Sequence, residues 1–375
     1  MSATIGRVSL ASDFYDRTSV VIARQPLPDF TYAQMLFAAS ARAELQRIGP
    51  EAFSLVAGRG VQGDDGAPYP DFTTMQAVLN ETLSVAEAIM VSDELATGPG
   101  DTIRINRPIF SGGGYTFASR RIGAGGVIST TPITVSDEQV SITIHKNVGP
   151  MSASGTGPQP YPISRKDSKR SVHSLVGRVS AALRYDRFAL IDGQFASLFD
   201  SGSSTLFPGD EAGAITTDAA AFVVNGDRPF SYELLLRGVE TLKVAKVPRF
   251  SDGKYRAILT PHQSKQLQLD PVWKQSSKEL PEKNILMANH IGTVGNVIVY
   301  ESNSNTIDTS TVSGVSIQHG VVFGPGMVGY AGTAEGVRVE PSTQDNYGED
   351  ALVVWICYEG ASTIDNRFGV ALHSD

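Results

Sequence analysis

Residues 101–147 read DTIRINRPIFSGGGYTFASRRIGAGGVISTTPITVSDEQVSITIHKN, and the reading of this stretch decides the fold. At its start Ile103 and Ile105 alternate with Arg104 and Asn106, and at its end Val140, Ile142 and Ile144 alternate in the same way. Period-two alternation predicts two half-buried strands, so the segment is a hairpin whose tip runs from Ser111 to Asp137. The tip holds Gly112, Gly113 and Gly114 and, further on, Gly123, Gly125 and Gly126. A loop that long with no core of its own is uncommon in a compact domain and usually serves a function. Between Thr102 and Ser136 lie four arginines, Arg104, Arg107, Arg120 and Arg121, and no Asp or Glu. The whole chain of 375 residues carries a formal net charge of −8. The hairpin is therefore a basic arm on an acidic body, built to touch a surface other than its own.

The segment after the arm is equally marked. A linker rich in Ser, Gly and Pro spans Pro150 to Pro162, and from Ser168 the apolar residues Val172, Leu175, Val176, Val179, Leu183, Ile191, Phe195, Leu198 and Phe199 keep a helical stripe. That predicts a helix of about thirty residues, a rod of about 45–50 Å at 1.5 Å per residue. Before the arm, residues 1 to about 30 are polar and interrupted by Pro26 and Pro28, an extended segment. Helical spacing comes next from Tyr32 to Ile48, stopped by Gly49 and Pro50, and again from about Thr73 to Val91. Downstream, Ser231 reads as the N-cap of a helix carrying Leu234, Leu235, Val239 and Leu242 and ending before Pro248. Then come a strand from Tyr255 to Leu259, a turn at Thr260 and Pro261, a short helix with Leu267 and Leu269, one strand from Val294 to Tyr300, and strands near Val321, Val337 and Leu352 to Tyr358. The order is mixed α+β, without βαβ alternation or repeat.

Composition narrows the class. Hydrophobic residues make up 41% of the chain, enough to bury a large core, while 37 glycines and 20 prolines favour strands, turns and extended segments. The acidic balance argues against gripping duplex DNA with the whole surface, since affinity for phosphate comes mainly from Lys and Arg. The lone cysteine, Cys357, comes directly after the apolar run Val353 to Ile356, so a buried, reduced thiol is expected. The opening residues lack the basic and apolar blocks of a signal peptide and no run of 18 apolar residues occurs, so a reducing cytoplasm is the expected site of synthesis and no membrane partner is expected.

No motif marks an active site, and the expected catalytic, cofactor and metal residues are none. Gly324 to Gly329 spells G-x-G-x-x-G after the strand-like Val321 to Phe323, but Tyr330, Ala331, Gly332, Thr333 and Gly336 make a poor helix, and a dinucleotide site needs a helix N-terminus there. These glycines read as turns between strands; a nicotinamide-dependent enzyme is the alternative they leave. His145, His173, His262, His290, His319 and His373 include no pair at i, i+3 or i+4 and no Cys partner, which argues against structural zinc. Asp200, Ser201 and Gly202 read as turn chemistry rather than metal ligands. Arg165 to Arg170 reads as a solvated basic patch before the long helix.

The order of elements, extended arm, basic hairpin, long helix, then a β-rich lobe with a closing strand, resembles the major capsid protein of tailed bacteriophages, the Hong Kong 97-like fold. YRAILTPH at 255–262 with Leu267 to Trp273 looks like the strand, proline and short helix that open that family's axial domain. GTVGNVIVYES at 292–302 looks like its G-x-x-G-x-x-V strand, and Ala351 to Phe368 like its closing peripheral strands. The nearest subgroup is that typified by the coat protein of phage N-four. The resemblance implies an N-terminal arm and first helix over 1–50, a peripheral segment over 51–99, the extended loop over 100–150, a peripheral domain with a spine helix over 151–245, a β-rich axial domain over 246–345 and return strands over 346–375.

It further implies a coat protein that self-assembles, as hexamers and pentamers, into the icosahedral shell of a double-stranded DNA phage, put together in the host cytoplasm and rearranging from procapsid to mature particle. Arg104, Arg107, Phe117, Arg120 and Arg121 would then be inter-subunit contacts on the loop, and the glycines at 112–114, 123, 125 and 126 would let it change shape. Partners implied are a separate scaffolding protein, a portal protein, a decoration protein and, by loose contact, the packaged DNA. An encapsulin-like nanocompartment shell shares this architecture, and a tail-tube or decoration protein is a further alternative.

Overall fold

The computed structural model describes residues 31–36, 39–40, 87–92, 102–109, 136–150, 161–164, 175–202, 204–208, 215, 229–273, 290–294, 296–305, 307–308, 316–332, 338–342 and 350–375. Its strands are β1 (Ile89–Ser92), β2 (Thr102–Ile109), β3 (Ser136–Thr143), β4 (His145–Gly149), β5 (Tyr161–Ser164), β6 (Ser204–Leu206), β7 (Tyr255–Leu259), β8 (His290–Val294), β9 (Val297–Glu301), β10 (Ile307–Asp308), β11 (Ile317–Phe323), β12 (Val328–Gly332), β13 (Arg338–Ser342), β14 (Asp350–Thr363) and β15 (Gly369–Ser374). Three helices carry the labels α1 (Leu175–Asp200), α2 (Tyr232–Val244) and α3 (Pro261–Leu269). Residues 31–36 and 39–40 are also helical.

The strands form two large mixed sheets and one ribbon. In the first sheet the order is β1-β12-β14-β13, with β4 and β5 pairing other parts of β14. The second runs β6-β15-β11-β7-β9-β8, with β10 against β11. The closing strand β15 thus sits between β6 and β11, the latter within the 246–345 segment. The ribbon is β2 with β3, the two strands the alternation predicts, with Ile103 opposite Ile142 and Ile105 opposite Val140.

Every residue of β7 is buried, the signature of a strand covered on both faces. One face, with Ile258, Val321 and Phe323, packs on Phe195 and Phe199 of α1 and on Tyr32 and Met35 of the N-terminal helical segment. The other, with Ala257, Leu259 and Val322, packs on Leu234, Leu235, Val239 and Leu242 of α2. The 26 residues of α1 span about 39 Å. The expected start near Ser168 lies outside the described residues.

Local signals set the helix ends. Ser231 is the N-cap of α2, its hydroxyl accepting from the Leu234 amide at 3.3 Å. Thr260 and Gln263 form a reciprocal capping box at α3, with Pro261 at the first helical position. The turn expected at Thr260 and Pro261 is thus the N-terminus of the short helix expected after it. The buried Gln263 Nε2 then donates to the Gln318 and Leu372 carbonyls, each at 3.0 Å, and to Ser374 Oγ at 3.1 Å, riveting α3 to β11 and β15.

Two expectations need correction. The helix read over Thr73 to Val91 fails at its end, because Ile89–Ser92 pairs in parallel with Val328 to Ala331; long-range pairing overrides local spacing. The single strand over Val294 to Tyr300 is instead a hairpin, β8 folding back on β9 with Val294 opposite Val297. The residues 295 and 296 between them, Gly and Asn, are turn formers. Among the described residues no helix is long and apolar enough to cross a membrane.

Candidate functional site

The basic hairpin is anchored through its root. Ile103 and Ile142 are buried with Ala331 of β12, flanked by Ile105 and Ile144. The approach is so close that two glycines of the first sheet lie directly beneath it. A Cβ on Gly360 of β14 would collide with the Thr143 carbonyl, and one on Gly329 of β12 would lie 2.9 Å from Ile142 Cδ1. Arg104 is exposed, and its Nη1 donates to Gln139 Oε1 at 3.3 Å across the ribbon. Arg107 stands opposite Glu138 in the register. Phe117, Arg120 and Arg121, the glycines at 112–114, 123, 125 and 126, and the cluster Arg165 to Arg170 lie outside the described residues.

Under the root sits a buried polar network that sequence reading missed. Glu359 of β14 is 3% exposed and accepts from Tyr330 Oη at 2.8 Å, from Cys357 Sγ at 3.1 Å and from Asn147 Nδ2 at 3.5 Å. Arg187 of α1 lies 3.5 Å away and supplies the countercharge. Burial, reinforced by the Glu359 charge, pushes the Cys357 thiol far up from its ordinary value. The expected buried thiol is therefore held protonated and unreactive. Tyr330 is likewise raised, by burial first and then by Glu359. Nearby, Trp355 Nε1 donates to Asp186 of α1 at 2.8 Å. These contacts fasten the long helix to the sheet that carries the arm.

The Gly324 to Gly329 loop is a tight β11–β12 turn, as its residues suggested. Gly326 has φ of +75°, its amide donates to the Glu87 carbonyl at 2.8 Å, and the Gly324 amide donates to the Phe368 carbonyl at 2.9 Å. These two amides are engaged within the protein rather than turned toward a pyrophosphate. A Cβ on Gly324 would meet Pro248 O at 2.9 Å, so close backbone packing accounts for that glycine.

No protein-family model matches the sequence, and no curated protein does either. Solved structures do match. The chain is similar to the capsid of Ralstonia phage GP4, with a TM-score of 0.55 and 15% identity over 76% of this chain and 86% of that one. It is similar to the cyanophage Pam1 capsid, with a TM-score of 0.56 and 12% identity over 76% and 88%. The capsid of cyanophage P-SCSP1u gives 0.52 and 13% over 76% and 86%. The chain has the tailed-phage capsid fold. The expected α+β, Hong Kong 97-like class is thus the observed one.

Within this capsid fold one cluster goes beyond the turn read at Asp200 to Gly202. Asp200, expected in a turn, is the last residue of α1, and its carboxylate meets two histidines. Its Oδ2 lies 2.8 Å from His319 Nδ1 and its Oδ1 3.2 Å from His373 Nε2. The histidines are direct cross-strand neighbours in β11 and β15, with rings stacked at 3.8 Å. Burial alone would raise the Asp200 carboxyl, but the hydrogen bonds from His319 and His373 outweigh it and hold the group well below its ordinary value. Searching for histidines at helical spacing misses a pair that only strand register brings together. The signal available in the chain was that His319 and His373 each fall in a β-patterned run.

Proposed function

We propose that this chain is a major capsid protein, a structural and non-enzymatic subunit that self-assembles as hexamers and pentamers into the icosahedral shell around a double-stranded DNA phage genome. One observation carries the reading: a ribbon clamped at its root by Ile103, Ile142, Gly329 and Gly360, leading into a basic tip, on a subunit of net charge −8 with a phage capsid fold. An arm anchored this firmly at one end transmits force from whatever its other end grips.

In this reading the tip, through Arg107, Phe117, Arg120 and Arg121, lies on a neighbouring copy, and the loop glycines let it reshape as the procapsid matures. Each exposed ion pair contributes about 0.2–1 kcal/mol, so shell stability arises from repetition by symmetry and from main-chain pairing between copies. The 151–245 segment, containing α1, serves as the peripheral spine, and 246–345 as the axial domain. A scaffolding protein, a portal and a decoration protein complete the partners, and the acidic body holds packaged DNA only loosely. The location is the virion capsid, assembled in the host cytoplasm.

The test is expression of the chain with its scaffolding partner, then electron microscopy. Closed shells of uniform diameter are expected, and Arg120→Glu with Arg121→Glu yields folded subunits and few particles. Subunits that stay monomeric under all assembly conditions would overturn the reading, and a normal particle yield from the double variant would overturn the docking role of the tip.

A further inference from the structure

We propose that Asp200, His319 and His373 form a binding site for a divalent transition-metal ion of the zinc class. The three residues come from three elements, the C-terminal end of α1 and the adjacent strands β11 and β15. Their donor atoms, one carboxylate oxygen and one ring nitrogen from each histidine, all lie within 4.8 Å of one another. Both rings already turn a nitrogen toward the same carboxylate, at 2.8 and 3.2 Å. Zinc binds imidazole nitrogen at about 2.0–2.1 Å and carboxylate oxygen at about 2.0–2.2 Å, which places tetrahedral donors about 3.4 Å apart. The observed nitrogen–oxygen spacings, one to each oxygen of the carboxylate, need to open by about 0.6 and about 0.2 Å to reach that value.

The donor set selects the class of ion. In the hydrogen-bonded state each ring donates from the nitrogen that faces Asp200; a bound ion would take that nitrogen's lone pair instead, leaving each imidazole neutral with its proton on the nitrogen facing away. Two imidazoles beside one carboxylate suit Zn²⁺, Co²⁺ and Ni²⁺, whereas Mg²⁺ and Ca²⁺ favour oxygen alone. The rings are held in place: Phe207 meets His373 edge-on at 5.4 Å, and the two imidazoles stack on each other. The side chains of His319, His373 and Asp200 are 14%, 14% and 24% exposed, so an ion has a path in from solvent, and three protein ligands leave a position for water. Bound there, the ion ties the end of the long helix to two central strands of the second sheet. None of this depends on the capsid reading.

The test uses the full chain after chelator treatment, titrated first with Co²⁺ and then with Zn²⁺. One Co²⁺ per chain is expected, with visible absorption bands of a four-coordinate site that Zn²⁺ abolishes by displacement, and an unfolding midpoint that rises with Zn²⁺ concentration. His319→Ala and His373→Gln each weaken binding by about tenfold or more, while His145→Ala, an exposed histidine on β4, binds as wild type. Absence of saturable one-to-one binding by the wild-type chain overturns the proposal, and so does unchanged binding by both ligand variants. The first of these outcomes involves no variant, so misfolding cannot protect the idea.

Discussion

Replacing Gly360 with alanine tests whether the arm is truly seated by backbone contact. Gly360 lies in β14 under the hairpin root, where a Cβ would stand 2.9 Å from the Thr143 carbonyl carbon and nearer still to its oxygen. Ordinary contact begins at 3.4 Å, so β3 has to lift by roughly 0.5 Å to relieve the carbon and by more to relieve the oxygen. The obstacle is main chain, which cannot rotate aside, and overpacking of this kind costs about 1–3 kcal/mol. Gly360 is not among the described glycines of positive φ, so alanine gains about 0.4–1 kcal/mol from the narrower unfolded ensemble. The net expectation is a loss of about 1–2 kcal/mol, read as a lower urea midpoint at unchanged slope for the unassembled subunit. Under the proposed function, the lifted ribbon aims its tip away from its target and particle yield falls. A Gly360→Ala subunit as stable as wild type, or more so, would refute the close-seating argument, because only the entropic gain would then have registered.

Three other positions give further expected outcomes. Gly193 lies mid-helix in α1 with nothing within 4 Å of a built Cβ, so Gly193→Ala should stabilise the subunit by about 0.5–1 kcal/mol in the same urea titration; a loss would mean that the site is more crowded than its geometry indicates. Gln263→Ala strips the Gln318 and Leu372 carbonyls of their shared donor and should cost about 2–3 kcal/mol, with faster hydrogen exchange in β11 and β15. Asp192 is buried, which raises its carboxyl from the ordinary 3.8 despite hydrogen bonds from Ser304, Ala33, Tyr32 and Ser302. A carboxyl raised on folding binds its proton more tightly in the native state, so its contribution to stability declines as pH climbs from about 3.8 through the folded value and is level above it. The stability of wild type relative to Asp192→Asn should therefore fall with rising pH across that window, and a rise would contradict the burial argument.

The parts of the fold legible in the sequence are those whose cause is local. Alternation of Ile103, Ile105, Val140 and Ile142 specifies the ribbon register, because slipping by one residue would turn every buried isoleucine to solvent. Ser231 marks the start of α2 because a hydroxyl at that position satisfies an otherwise orphaned amide. The runs at 255–259 and 321–323, apolar apart from Arg256, read as strands for the same reason that they end up buried on both faces. What escaped depends on partners far along the chain. Ile89 to Ser92 shows helical spacing and becomes a strand only because Val328 to Ala331 offers it an edge. Glu359 reads as an ordinary polar residue near the end of a strand until Arg187, Tyr330, Cys357 and Asn147 converge on it. Asp200 belongs to a turn by spelling, and its two histidines are adjacent only through the β11–β15 pairing.

The placement of β14 and β15 has a consequence for how the protein is made. β14 alone pairs with β12, β13, β4 and β5, and β15 lies between β6 and β11 in the other sheet, yet both come after every other described strand in the chain. During translation, therefore, neither sheet finds its organising member until residues 350–374 have emerged. Until then β4, β5, β6 and β13, which among the described residues pair only with β14 or β15, wait without a partner, and unpaired edges are where chains adhere to one another. A growing polypeptide of this design exposes strand edges until late in its synthesis, so its sheets close only when the chain is nearly finished.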